Sequence, residues 1–161
     1  MMEWNRPRSV RQIGSVPGRE RIYVEDYVMR FAKRLAAKQS DNEKAAMLLG
    51  NQYHYNGQKI VQISGIVEIP QFARRNSPVL SPQSWDSVYT EIKENFTDLD
   101  IVGWFYTARD FDRQDAGKLL EIHKANFQHR DKVLYILDEK EQEDGMFLYH
   151  MGNFERQQGY Y

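Results

Sequence analysis

The chain has 161 residues, a formal net charge of −1 from 22 Lys and Arg against 23 Asp and Glu, and no cysteine. This length fits one domain whose core needs no metal or disulfide for support, and the missing thiols exclude disulfides, thiolate metal sites and cysteine nucleophiles. Balanced charge gives no reason to expect a nucleic-acid partner. The longest apolar run falls short of the ~20 residues of a membrane span, and the N-terminal segment lacks the apolar centre of a secretory signal. No membrane insertion and a cytoplasmic location are therefore expected.

Residues 1–20 read as an N-terminal arm, lying on the domain or leaving it, with Gly14, Pro17 and Gly18 around Val16. Counted through Arg21, Arg6, Arg8, Arg11, Arg19 and Arg21 outnumber Glu3 and Glu20. Residues 21–161 read as a single domain. Arg21 to Val24 alternates like a short strand, and Val24, Tyr27, Val28, Phe31, Ala32 and Leu35 then recur at helical spacing. That predicts an amphipathic helix from about Glu25 to Lys38. Ala45 to Tyr55 and Lys59 to Ile69 read as strands joined at Asn56-Gly57, the strongest short hairpin pattern a sequence carries.

Ser81 to Ser84, with Pro82, predicts a helix start, and Trp85, Val88, Tyr89, Ile92 and Phe96 mark its apolar face. Ile101 to Tyr106 is apolar throughout, as expected of a strand covered on both faces. Asp110 to Asp115 reads as a polar loop. Ala116, Leu119, Leu120, His123 and Phe127 line a third helix. Val133 to Leu137 is a buried strand, Asp138 to Gly145 an acidic turn, and Met146 to Met151 a final strand. The order β-α-β-β-α-β-α-β-β predicts a mixed α/β layer architecture.

Three strings within that order carry a resemblance. They are Glu43-Lys-Ala-Ala-Met-Leu-Leu-Gly50, Asp100-Ile-Val-Gly-Trp-Phe105, and a helix bearing His123 followed by the strand Lys132 to Asp138. Together, over roughly residues 21–152, they resemble the JAB/MPN (JAMM) superfamily, whose active members are zinc isopeptidases that remove ubiquitin-like modifiers. The resemblance implies an α/β (α+β mixed) fold, a curled mixed β-sheet with helices on its faces in an MPN/cytidine-deaminase-like architecture. It also implies site positions. Glu43 stands where the active family has its general base. Tyr106-Thr107-Ala108-Arg109 stands where it has His-Ser/Thr-His-Pro. Counting onward puts Ala116 at a serine position and Leu119 at the Asp ligand.

Hydrolytic zinc needs about three N or O ligands and an open position for water, with a carboxylate to take that water's proton. Alanine and leucine offer no lone pair, so this chain resembles a ligand-lacking, bacterial-type member. No catalytic residue, metal or cofactor is expected, and Glu43, Tyr106, Ala108, Ala116 and Leu119 are relic positions. Leu119 and Tyr106 are expected to fill the metal's space. The Glu43 carboxylate is expected to be held by a group near Tyr106 or Thr107, or by an arginine such as Arg109. Glu43, Tyr106, Thr107, Arg109 and Asp115 make up the candidate cleft.

Other chemistries find less support. His54, His129 and His150 show no helical zinc spacing, and His123 reads as a packed core histidine. Asp110, Asp112 and Asp115 lack the glycine turn and distal Glu of a calcium loop. Ser64-Gly65, inside a strand, reads as a bulge or close backbone contact. The expected function is a non-catalytic interaction or scaffold domain. It would meet a protein partner, or itself as a homo-oligomer, through a sheet edge or helix face. One alternative is a peptide- or small-ligand-binding module using the vacated metal cleft. The other is a divergent metallo-isopeptidase built around Glu43, Tyr106, Thr107 and Asp115. The apolar finish Gly159-Tyr160-Tyr161 is read as running on into further sequence.

Overall fold

The computed structural model of the chain describes residues 10–16, 20–38, 43–74, 77–108, 113–127, 132–138, 143–150, 153–156 and 158–160. Strands β1 (Val10–Val16) and β2 (Glu20–Glu25) lead into helix α1 (Asp26–Ala37). Strands β3 (Lys44–Tyr55) and β4 (Gln58–Glu68) form a hairpin. At its turn Asn56 and Gly57 have φ of 51° and 76°, the two positive values a type I′ connection requires. A 3-10 turn (Phe72–Arg74) precedes helix α2 (Pro82–Asn95). The Ser81 hydroxyl accepts from the Ser84 backbone N–H at 3.1 Å, and Pro82 follows in the first turn, where its missing N–H costs nothing. Strand β5 (Asp100–Ala108), helix α3 (Arg113–Asn126) and strands β6 (Val133–Asp138), β7 (Glu143–His150), β8 (Asn153–Arg156) and β9 (Gln158–Tyr160) complete the chain.

All the strands join one mixed sheet in the order β8-β7-β6-β5-β3-β4-β2-β1-β9. The pairs β2/β4 and β5/β6 are parallel and the rest antiparallel. Helix α3 supplies the long crossover that the parallel β5/β6 pair needs. Side chains alternate across the sheet, so Ala46 and Leu48 face α1 while Ala45, Met47 and Leu49 face α2 and α3. Helices thus lie on both faces, and the central strands read as continuous apolar runs because both of their faces are covered.

Several expectations need correction. Residues 10–16, read as part of an arm, are a strand hydrogen-bonded to β2 and β9. The acidic turn is shorter than predicted: β7 begins at Glu143, paired with Asp138, and Gly145 lies inside it opposite Ile136. Two further strands follow β7. The buried face of α1 is Val28, Met29, Ala32, Leu35 and Ala36, with Tyr27 exposed at its margin. Tyr89 on α2 is 55% exposed, and on α3 Ile122 takes the buried place expected of Leu120.

Two bulges curl the centre of the sheet. Pairing of β3 with β4 passes from Leu49↔Gly65 to Gly50↔Ile63, leaving Ser64 extra. Pairing of β3 with β5 passes from Leu48↔Gly103 to Leu49↔Ile101, leaving Val102 extra. A bulge bends its strand and sharpens the local twist, and here both flank the same stretch of β3. Backbones crowd at this point. A Cβ on Gly50 would lie 1.8 Å from the Gln62 carbonyl oxygen, and one on Gly103 would lie 2.3 Å from that of Val133. The glycines of Leu49-Gly50 and Val102-Gly103-Trp104 are therefore demanded by packing. The expected bulge at Ser64-Gly65 is present, and the Tyr27 hydroxyl donates to the Ser64 carbonyl.

Candidate functional site

Pairing of Lys44 with Thr107 and Ala45 with Tyr106 brings Glu43 alongside the end of β5. There the Tyr106 hydroxyl donates to Glu43 Oε2 at 2.6 Å, and Lys118 Nζ, from α3, donates to the same oxygen at 2.8 Å. The Glu43 side chain is 13% exposed and that of Lys118 44%. Tyr106 itself is buried, its ring edge-on to Phe72 at 6.0 Å and to Trp104 at 6.3 Å. A lysine ammonium and a phenol on one carboxylate oxygen form a charge-assisted pair of bonds, stronger than neutral ones.

The structure brings Glu43 and Tyr106 together as expected, and among the described residues the cation that joins them is Lys118. Thr107 does not join them. Its hydroxyl donates to the Leu137 carbonyl at 2.8 Å, tying β5 to β6. Ala108 is half-buried against the same core cluster that contains Tyr106 and Leu119. Leu119 is 1% exposed. Asp115 and Ala116 lie in the first turn of α3, but their side chains fall outside the described residues, as do Arg109, Asp110, Asp112 and His129. The donor set does not fit zinc. A leucine and an alanine side chain offer no ligand atom, and the phenol is committed to Glu43. Among the described residues, no three His, Asp or Glu side chains converge as a metal site would need.

Lys118 escaped the sequence reading. The only pointer to it is its place one residue before Leu119. If Leu119 faces the sheet, Lys118 lies about 100° round the helix, at the rim, where a long side chain can reach a carboxylate at the sheet's end.

His123 sits deeper on α3. Its Nδ1 accepts from the Trp104 indole N–H at 3.0 Å, which leaves the neutral ring's proton on Nε2. Burial lowers its pKa to about 4, because desolvation disfavours the imidazolium. Phe127 packs against it at 5.3 Å and against Trp104 at 6.3 Å. This is the packed core histidine expected. His54 is exposed on β3. At the Ser64 bulge, burial raises the pKa of Glu25, opposed by a hydrogen bond from Ser64. Tyr27 is raised by burial and then by the Glu25 charge.

Among the described residues no helix is long and apolar enough to cross a membrane. No family model matches the chain, and no curated protein matches it. Among solved structures the chain is similar to protein DSY2949 from Desulfitobacterium hafniense, with a TM-score of 0.56 and 11% identity over 84% of this chain and 88% of that one. At that identity the likeness concerns the fold alone: a mixed α/β chain whose curled mixed sheet carries helices on its faces.

Proposed function

We propose that this chain is a non-catalytic, MPN-like domain that works as a protein-interaction scaffold. One observation carries the reading. Glu43, the residue that would serve as general base, spends its carboxylate on Tyr106 and Lys118, beside a buried Leu119. A general base must reach the proton it removes, and this carboxylate is engaged with the fold instead. Against a ligand in the vacated metal cleft stands the packing of Tyr106, Leu119 and Phe72 into one core cluster. Against a rebuilt hydrolase around Glu43, Tyr106, Thr107 and Asp115 stands the turning of Thr107 toward Leu137. For docking, a mixed sheet with β8 and β9 at its edges presents strand edges to a partner chain or a second copy.

Elemental analysis of protein purified from zinc-supplemented cells tests the reading. The expected result is substoichiometric zinc and a thermal midpoint unmoved by a chelator. About one zinc per chain, whose removal destabilises the fold, would overturn it.

A further inference from the structure

At the other end of the β3–β5 pair the sheet opens into a cavity of about 710 Å3, within the range of roughly 300–1,000 Å3 usual for small-molecule sites. Its position follows from the fold. Asn51 and Gln52 of β3 form one side, Tyr89 and Ile92 of α2 another, and the start of β5 the floor. Val102, the bulged residue of β5, lines it. A bulge leaves its extra residue out of the ladder, and such positions are over-represented beside binding sites.

The lining has three chemical parts. Ile92, Leu99 and Ile101 give an aliphatic lining, and the exposed Tyr89 adds an aromatic ring stacked on Trp85 at 5.6 Å. Asp100, an exposed acidic residue, lines the rim. Lys132 contributes a half-buried ammonium whose Nζ donates to the Ile101 carbonyl at 2.7 Å. An ammonium has three donors, so this bond anchors Lys132 and leaves two N–H groups for another acceptor. One fixed cation, one acidic residue at the rim and an apolar lining in a single cavity match a molecule that carries both charges on an apolar body.

We propose that this cavity binds a small α-amino carboxylic zwitterion with an apolar side chain, as a free amino acid or a short apolar peptide. Its ammonium meets Asp100, its carboxylate meets Lys132, and its side chain lies on Ile92 and Leu99. The site is separate from the Glu43 corner and does not depend on the scaffold reading.

The test is an amide NMR titration of the whole chain with L-leucine, leucyl-leucine, N-acetyl-leucine and leucinamide. Saturable shifts at Asn51, Gln52 and Asp100 to Val102 are expected with leucine or leucyl-leucine at up to millimolar concentration. Asp100→Asn should weaken the zwitterions at least about tenfold and leave N-acetyl-leucine, which has no ammonium, unchanged. Lys132→Met should weaken N-acetyl-leucine and spare leucinamide. If Lys132→Met fails to fold for want of its bond to Ile101, Asp100→Asn and the charge-deleted ligands decide the matter alone. Tighter leucyl-leucine supports a peptide ligand, and equal or tighter leucine supports a free amino acid. Absence of saturable shifts with both zwitterions, shifts confined to other regions, or equal binding by wild type and Asp100→Asn would overturn the proposal.

Discussion

The two ends of the β3–β5 pair share strands, a sheet face and an aromatic core, yet they finish differently. At the Glu43 end, α3 turns Leu119 into the core. Tyr106 donates to Glu43, and Lys118 closes over the carboxylate. At the Asp100 end, α2 covers less. Tyr89 stays exposed, Trp85 and Ile92 are half-buried, and a cavity remains between helix and sheet. What separates them is how each end treats its polar groups. The first end satisfies them within the fold, and the second has an exposed Asp100 and an anchored Lys132 lining a cavity. A constellation that looks catalytic by residue type can thus belong to the architecture, while the surface open to a ligand lies about 25 Å along the strands at ~3.3 Å per residue.

The largest effect expected at the closed end comes from Leu119. Leu119→Ala should destabilise by about 2–4 kcal/mol, the cost of emptying a buried leucine site, as read from chemical denaturation. A loss under about 0.5 kcal/mol is surface behaviour and would show that α3 does not seat on the sheet.

His123 sharpens the same contrast through pH. Its folded pKa of about 4 lies below the ordinary value near 6.5. As pH falls through 6.5 the unfolded imidazole takes up a proton that the folded one refuses, so stability declines down to about pH 4 and is unaffected by this group above 6.5. The decline across that window should reach about 3 kcal/mol. His123→Gln should remove that part of the slope, read as the difference between variant and wild-type stability curves. Matching slopes would mean that the Trp104–His123 layer admits water.

Much of this architecture was legible in the sequence because local chemistry and the final fold agree. Asn56-Gly57 can hardly be anything but a hairpin turn, Ser81-Pro82 starts a helix by its own hydrogen bonding, and Ser64-Gly65 inside a strand reads as a bulge or a close backbone contact, of which the bulge is present. What escaped depends on distant partners. β1, β8 and β9 are short, polar or arginine-bearing segments that become strands because a neighbouring edge offers hydrogen bonds, and strand preference is governed by such context. The buried face of α1 lies slightly round from the predicted one, with Met29 and Ala36 buried and Tyr27 at its margin.

At the candidate site, the Glu43–Tyr106 contact was readable once β3 was set beside β5. Lys118 was not, since its approach depends on how α3 docks. The cavity was invisible because it is defined by what α2 fails to cover. The strings Leu-Leu-Gly50 and Val-Gly-Trp104 gain a plain physical cause as well: their glycines sit where neighbouring backbones leave no room for a Cβ.

The claim that the Glu43 corner is architecture is tested most directly by the stability of Glu43→Gln at neutral pH. A catalytic carboxylate is commonly held at some cost to the fold, so its replacement leaves stability unchanged or raises it. A structural one loses its charge-assisted bonds to Tyr106 and Lys118 when it becomes an amide. The account predicts a loss of about 1–2 kcal/mol, measured by chemical denaturation and accompanied by a Tyr106→Phe variant that costs less once Glu43 is already Gln. Equal or greater stability of Glu43→Gln, with the two substitutions simply additive, would contradict it.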